Sequence, residues 1–230
     1  MISVVIPTYN AEAFLAESIN SILSQTHKDL EVVVVDDGST DSTPDLIEYF
    51  AKKDKRVRYF RLPENKGISY ARNVGMRESL GEYIAVMDAD DISSPTRLKK
   101  QLKALKGDFV YSSYFLADEH GHIVGTHYPP AKVTFEDIKK NGAWPHVTIL
   151  AKRECFTNNP YREDFKINDD AWLVWSFFKA GYKANWVKEP LVIVRTHQGS
   201  VSNTKKVEVA KTQDIMDREY NQYESTIGAG

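Results

Sequence analysis

Short apolar runs alternate with amphipathic stretches over residues 1–107. The runs are rich in β-branched or aromatic residues and lack a clean two-residue alternation, which is typical of strands covered on both faces. The amphipathic stretches repeat apolar positions every three or four residues and predict helices. The predicted strands are 2–6, 31–35, 57–60 and 83–87, and the predicted helices are 12–24, 44–53, 69–80 and 95–106. This order predicts an α/β fold with a mostly parallel central sheet flanked by helices.

The regular alternation ends after residue 107, and the second half of the chain predicts a smaller sheet. Alternating segments around Asp118-Glu119-His120-Gly121 predict a hairpin, and a late aromatic segment predicts a helix that ends at Gly181. The predicted elements are a hairpin at 109–116 and 122–128, a strand at 146–151, a helix at 169–180 and a weakly patterned, charged helix at 204–224.

Polar residues follow three of the predicted strands. They are Thr8, Tyr9 and Asn10, then Asp36 and Asp37, and finally Asp88, Asp90 and Asp91. Acidic residues after a strand are often plain loop residues or helix caps. Parallel strands end at one edge of the sheet, however, and α/β folds bind ligands there, so two aspartate clusters on this edge favour a shared site. Asp-x-Asp suits a hard divalent cation that bridges the protein to a substrate phosphate.

Composition limits the class of protein. A chain of 230 residues, 42% of them hydrophobic, can bury a substantial core. A formal charge of −2 argues against a general nucleic-acid binder, because phosphate backbones are gripped by clustered cations. The single cysteine, Cys155, fits a reducing compartment. No signal peptide or membrane-spanning run is evident, so we expect a cytoplasmic protein that contacts a membrane at most peripherally, at its inner face.

Four linked motifs appear in a characteristic order. They are Val-Val-Ile-Pro-Thr-Tyr-Asn at 4–10, Val-Asp-Asp-Gly-Ser-Thr-Asp-Ser-Thr at 35–43, Asn-Lys-Gly-Ile-Ser-Tyr-Ala-Arg-Asn-Val-Gly at 65–75 and Met-Asp-Ala-Asp-Asp at 87–91. Each is weak alone, but together they resemble the family 2 glycosyltransferases, inverting enzymes with the GT-A fold that use nucleotide-activated sugars. With a later acidic pair and an Arg-Thr-His segment, the resemblance covers most of residues 1–202.

The resemblance implies a domain layout and a nucleotide site. We expect a GT-A domain over 1–203, with a nucleotide-binding half at 1–107 and an acceptor-side half at 108–203, followed by a helical tail at 204–230. Pro7 and Tyr9 would lie against the nucleotide base, and Asp37 would accept a hydrogen bond from its ring N–H. Tyr9 is alternatively an aromatic that packs on the next helix, and Thr8 and Asn10 either contact the nucleotide or only shape the turn.

The resemblance also implies a cation site. Asp90 would bind a divalent cation, Mn or Mg, and Asp88 would contact the ribose or the cation's shell. His197 is either a third protein ligand or a polar packing residue, and Asp91 is expected to cap the following segment. A cation there would stabilise the charge on the departing diphosphate.

The acceptor must lose a proton as it attacks, which requires a general base. Asp169 and Asp170 occupy the position of the family's Glu-Asp pair at a helix start, so Asp170 is the expected base. Asp169 stands where the family usually has Glu and is alternatively a helix-capping acid. His146 either contacts the acceptor or packs internally, and Arg195 and Ser200 are candidates for phosphate contact.

The expected reaction moves a single sugar from a nucleotide donor, a UDP-sugar first and a dTDP-sugar next, to a hydroxyl of a saccharide or lipid-linked acceptor in surface polysaccharide biosynthesis. A phosphatase of the haloacid dehalogenase type is a rival, but its Asp-x-Asp ends the first strand rather than the fourth. A nucleotidyltransferase would need a Gly-rich loop after the first strand. The non-enzyme alternative is an inactive nucleotide-sugar-binding scaffold. Donor sugar, linkage and oligomeric state are not indicated by the sequence.

Overall fold

The computed structural model of the protein describes residues 1–131, 145–165, 169–197, 214–215, 217–219 and 221–222. The strands are β1 (Ile2–Thr8), β2 (Leu30–Asp36), β3 (Val57–Arg61), β4 (Tyr83–Val86), β5 (Ile92–Ser93), β6 (Phe109–Ala117), β7 (Ile123–His127), β8 (Leu150–Lys152) and β9 (Ala184–Arg195). The helices are α1 (Leu15–Leu23), α2 (Thr43–Lys53), α3 (Ile68–Glu78), α4 (Arg97–Ala104), α5 (Arg153–Asn158) and α6 (Asp169–Lys179), with a 3₁₀ turn at His146–Thr148.

All the strands of the described residues lie in one sheet, in the order β3-β2-β1-β4-β8-β6-β9-β5, with β7 paired to β6. The first four strands run parallel to one another. In the second half, β8 is antiparallel to both β4 and β6, while β6 and β9 are parallel. The strands of the two halves therefore share one continuous sheet, and the carboxyl ends of β1, β2 and β4 meet at the same edge.

Helices cover both faces of the sheet, which explains why the strand sequences lack alternation. Every residue of β1 and β2 is buried. Val4 lies in a cluster with side chains of α1, α2 and α4, whereas its neighbour Val5 lies in a second cluster with side chains of α3, α5 and α6. Each large aliphatic side chain buried in this way contributes about 1.5–3 kcal/mol.

Helix α3 lies unusually close to β1 because of Gly75. A Cβ atom at this position would come within 2.4 Å of Cγ1 of Val5, which is itself fully buried. The absent side chain lets the helix backbone lie directly on the strand. The polar residues one and two turns earlier on α3 are thereby held near the edge where the strands end.

The sequence-based elements of the first half are confirmed, with ends that differ by up to three residues. The predicted strand at 146–151 is wrong in its first part, since His146–Thr148 forms a 3₁₀ turn and β8 begins only at Leu150. The turn is closed by Thr148, whose N–H and hydroxyl both donate to the Pro145 carbonyl. Most of the predicted tail helix lies outside the described residues, and those described at 214–222 are helical. Among the described residues, no helix combines the length and apolarity that crossing a bilayer requires.

Candidate active site

The loops after β1, β2 and β4 are joined at one edge of the sheet. The Asp37 N–H donates to the Thr8 carbonyl at 2.8 Å, which ties the ends of β1 and β2 together. On the other side of β1, the Met87 N–H donates to the Val5 carbonyl at 3.1 Å. These bonds extend the ladders beyond the strands, so the two aspartate clusters flank the loop that follows β1.

The loop after β1 presents an exposed aromatic ring. Pro7 is buried in the ladder beside Val35, and Tyr9, the next residue but one, is 48% exposed. Asn10 has φ 49°, a left-handed conformation that Asn tolerates. Its N–H donates to the Ser39 hydroxyl at 2.9 Å, which fixes the turn. Tyr9 therefore does not pack into the core and is free to stack against a ligand.

Two buried polar side chains, those of Asp37 and Thr8, lie where β2 and β1 end. The Asp37 carboxylate accepts hydrogen bonds from the N–H groups of Lys66 (2.7 Å) and Gly67 (2.8 Å), one on each oxygen. Burial raises the pKa of Asp37, and these two bonds oppose the shift. Each oxygen keeps a further lone pair for a ligand N–H. The buried Thr8 hydroxyl has no hydrogen-bond partner among the described residues.

The three aspartates after β4 have three different partners. Asp88 pairs with Arg72 at 2.9 Å, and Asp90 lies 3.0 Å from the His197 ring nitrogen Nε2. Asp91 was expected to cap the following segment, but its buried carboxylate instead accepts the main-chain N–H of Arg195 at 3.0 Å. Asp91 therefore anchors the end of β9, and Asp88 and Asp90 are the carboxylates left at the site.

The charges of this turn favour a cation. Burial, and next the charge of Asp88, raise the pKa of Asp90, while the hydrogen bond to His197 opposes the shift. Mn binds both carboxylate oxygens and an imidazole nitrogen readily, whereas Mg prefers the carboxylate oxygens. Within the described residues, no three His, Cys, Asp or Glu side chains already surround one point. The protein groups present fit a cation whose coordination is completed by substrate or solvent oxygens.

His197 and Arg195 are positioned by Phe14, the residue before α1, and by Glu17 in the first turn of that helix. The rings of His197 and Phe14 have centroids 4.9 Å apart, and the Arg195 guanidinium carbon lies 4.8 Å from the centroid of the same phenyl ring. Arg195 also pairs with Glu17 at 2.6 Å and donates to the carbonyl oxygen of Asp90 at 3.1 Å. This arginine, a candidate for phosphate contact, is thus engaged with protein groups. Ser200, the other candidate, lies outside the described residues.

The acidic pair at the start of α6 is divided between two environments. Asp169 is buried and accepts from Arg72 at 2.6 Å and from the Ser69 hydroxyl at 3.1 Å. Asp170 is partly buried, and its carboxylate accepts the N–H of the adjacent Ala171 at 2.8 Å. Burial, and next the charge of Asp169, raise the pKa of Asp170 to about 7, opposed by Ala171 and Arg72.

Two arginines have structural roles that their sequence positions did not indicate, and His146 takes the second of its two expected roles, internal packing. Arg72 falls inside the motif at 65–75, yet nothing local shows that it reaches two distant carboxylates. Arg97 resembles an exposed residue at a helix start but is fully buried and donates to the carbonyls of Val86 and Val147, each at 2.9 Å. Burial lowers its pKa to about 10. His146 is buried and bonded to the Tyr161 hydroxyl at 2.6 Å, so it packs internally.

Comparison with known proteins places the chain in a family. The sequence profile described as "Glycosyl transferase family 2" matches residues 3–164. TuaG of Bacillus subtilis (strain 168), named as a candidate glycosyltransferase of teichuronic acid biosynthesis, is 30% identical over 216 residues, which are 92% of this chain and 85% of TuaG. The chain therefore belongs to glycosyl transferase family 2.

Solved structures of similar shape have the same GT-A fold. Staphylococcus aureus TarS 1–349 in complex with UDP-GlcNAc matches with a TM-score of 0.76 at 22% identity, over 93% of this chain and 65% of that one. The mannosyltransferase PcManGT from Pyrobaculum calidifontis, in complex with GDP-Man and Mn²⁺, matches with a TM-score of 0.68 at 21% identity, over 86% and 58%. This chain thus spans less than two thirds of either solved chain, and at these identities the likeness concerns the fold.

Proposed function

We propose that the protein transfers one sugar, with inversion and with a divalent cation, from a nucleotide-sugar to a hydroxyl of a saccharide or lipid-linked saccharide acceptor. A UDP-sugar is the first candidate donor and a dTDP-sugar the second. The observation that carries the proposal is the pair of contacts made by Arg72. Its single guanidinium contacts Asp88, in the turn at residues 88–91 (the cation turn), and Asp169, in the helix that bears Asp170. The turn that carries Asp90 and the helix start that carries Asp170 are therefore joined through one guanidinium.

The edge formed by β1 and β2 suits a nucleotide. Tyr9 provides an exposed aromatic face for a base, with the buried Pro7 two residues before it, and Asp37 has lone pairs left for the N–H of a uracil or thymine ring. Thr8 and Asn10 border the same loop, and the Thr8 hydroxyl has no hydrogen-bond partner in the part of the chain that the structure describes. TarS has been solved with UDP and with UDP-GlcNAc, which supports a uridine donor for this chain.

The cation turn suits a diphosphate. Asp90 and His197 would hold a Mn or Mg ion, with Asp88 beside them at the ribose or in the ion's shell. The Mn²⁺ named in the PcManGT complex supports this assignment. When bound, the ion would neutralise the charge that develops on the leaving diphosphate. Phe14 fixes the ring of His197 and Arg195 holds the main chain of Asp90, so these ligands are oriented in advance.

Asp170 is the better of the two acidic residues for the general base. Asp169 already accepts hydrogen bonds from Arg72 and Ser69, so its carboxylate is held by protein groups rather than open to an acceptor hydroxyl. Asp170 has a pKa raised to about 7, close to the value at which a carboxylate both ionises and takes up protons efficiently. Removal of the acceptor's proton by Asp170, on the side opposite the leaving diphosphate, would give inversion in a single displacement.

The product class follows from relatives and remains a proposal. TuaG is named for teichuronic acid biosynthesis, a polysaccharide pathway, and this supports a role in surface polysaccharide or glycan assembly, on a cytoplasmic acceptor at or near the inner membrane face. An inactive nucleotide-sugar-binding scaffold would share the donor site but would show no turnover.

Thermal unfolding with nucleotides tests the donor site. UDP, dTDP and GDP are each added with Mn²⁺ or with EDTA, and release of UDP from a panel of UDP-sugars measures turnover. A ligand at about 100 times its Kd stabilises by roughly 2.7 kcal/mol, which raises the midpoint by about 5 to 10 °C at this chain length. We expect this shift with UDP and Mn²⁺, and its loss in Asp90→Asn.

Asp118→Asn is the matched control for Asp90→Asn, because Asp118 also lies 3.0 Å from a histidine nitrogen, that of His122, but on an exposed turn. It should leave the UDP shift unchanged. No Mn²⁺-dependent shift with any nucleotide would contradict the proposed donor site. A shift without turnover of any sugar donor would favour the inactive scaffold.

A further inference from the structure

One face of α3 carries three buried polar side chains to which neither donor binding nor proton removal assigns a role. Ser69, Arg72 and Asn73 are spaced at i, i+3 and i+4, so they share one face of the helix. All three are buried, with Arg72 only 4% exposed. Buried polar groups at such positions are costly unless they are well paired, which suggests that their partners matter.

Arg72 bridges two elements that are far apart in the sequence. One terminal nitrogen, Nη1, lies 2.6 Å from Asp169 and the other, Nη2, lies 2.9 Å from Asp88. The Tyr161 ring supports the guanidinium, with its centroid 5.4 Å from the Arg72 Cζ atom. The planar fork of an arginine can hold two carboxylates in a fixed relation, whereas a lysine ammonium acts as a point charge.

The neighbours of Arg72 hold the chain segment that leads into α6. The Asn73 amide accepts the Tyr161 N–H at 2.9 Å and donates to the Tyr161 carbonyl at 3.0 Å. The Ser69 hydroxyl contacts Asp169 at 3.1 Å. The same helix face therefore fixes both ends of the stretch from Tyr161 to Asp169, and Gly75 sets this face close to the sheet.

We propose that Arg72 is a positioning residue that fixes the start of α6, and with it Asp170, relative to the Asp-x-Asp turn. This inference rests on the proposed function of Asp90 and Asp170. Arg72 does not need to touch the substrate, because both of its carboxylate partners belong to the protein. Its loss should therefore impair the chemical step, in which the two halves of the site must be aligned, far more than nucleotide binding.

The test replaces Arg72 by lysine, which keeps the buried charge but can contact only one of the two carboxylates closely. We expect R72K to lower kcat at least 10-fold, with the UDP-sugar that wild type turns over, while the Kd for UDP with Mn²⁺ changes less than threefold. R58K is the matched control. Arg58 pairs at 3.0 Å with Glu31, whose carboxylate is as buried as that of Asp169, but this pair lies near the amino ends of the strands. R58K should leave both quantities unchanged.

Amide hydrogen exchange on the metal-free protein gives a readout that needs no activity. R72K should speed exchange at least 10-fold in the first turn of α6, residues 169–172, whereas R58K should not. Unchanged exchange there, an unchanged kcat, or equal losses in kcat and UDP affinity would each overturn the inference. If R72K does not fold, S69A carries the same test, because it removes one contact to Asp169 and should lower kcat severalfold at constant UDP affinity. Failure of wild type to bind or turn over any donor would instead refute the proposed function.

Discussion

The raised pKa of Asp170 predicts how turnover depends on pH. A general base must be ionised to accept the acceptor's proton, so the rate follows the ionised fraction of this carboxyl group. With a pKa of about 7, that fraction is about 10% at pH 6 and about 90% at pH 8. We expect kcat to rise about tenfold between these pH values and then to level off. An aspartate with its ordinary pKa of 3.8 would give no change over this range.

The assay is kcat at saturating donor and Mn²⁺, because saturation separates proton removal from any weakening of cation binding at low pH. Asp170→Asn should lower kcat by about 10²- to 10⁴-fold, the usual contribution of a general base. It should leave the affinity for UDP with Mn²⁺ within about threefold of wild type, because Asp170 serves the acceptor side. A wild-type kcat that is flat from pH 5.5 to 8.5, or full activity of Asp170→Asn, would refute the assignment.

The same group should affect stability with the opposite trend in pH. The folded-state pKa of Asp170 lies above the unfolded value, so the native state binds the extra proton between about pH 4 and 7. Its contribution to the free energy of unfolding is present at low pH and is lost as the pH rises through about 7. The difference between 3.8 and about 7 corresponds to at most about 4 kcal/mol. In urea unfolding, Asp170→Asn should therefore have a larger free energy of unfolding than wild type at pH 8. The difference between variant and wild type should be smaller at pH 5, and an equal difference at both pH values would contradict the argument.

Two further substitutions test the cation site and the packing beneath it. His197→Ala should weaken Mn²⁺-dependent UDP binding about tenfold in calorimetric titration, as expected for a lost ligand. The control His122→Ala removes a histidine at the same 3.0 Å from an aspartate and should have no effect. An unchanged titration for His197→Ala would show that His197 is not a ligand of the site. Gly75→Ala should destabilise the protein by about 1–2 kcal/mol in urea unfolding, because its Cβ would lie 2.4 Å from Val5 Cγ1 and this overpacking outweighs the roughly 1 kcal/mol that Ala gains as a helix former. Gly125→Ala, with its nearest contact at 3.8 Å, should cost little, and equal stabilities of the two variants would show that the helix moves away freely.

The central fold could be predicted from the sequence because its signals are local. The apolar runs of β1 and β2 are covered on both faces, and lack of alternation reports that state directly. The segment from His146 to Leu150 was less predictable, because its apolar residues suggest a strand while the Thr148 hydroxyl bond to Pro145 closes a turn. Arg97 shows the same limit, since its charge predicts exposure and only the carbonyls brought together by the fold make its burial tolerable.

The site shows most clearly why spacing alone identifies a cluster but not the role of each member. Asp88, Asp90 and Asp91 are alike in type and nearly adjacent, yet their partners are Arg72, His197 and the main chain of Arg195, which are 16, 107 and 104 positions away. A local pattern therefore predicts that a cation turn exists, because mutual repulsion is a property of the cluster itself. Which carboxylates remain for the proposed cation depends on the partners that the rest of the chain brings to each of the three. The same reasoning separates Asp169 from Asp170, since a guanidinium carried by α3 occupies one and leaves its neighbour partly buried with a raised pKa.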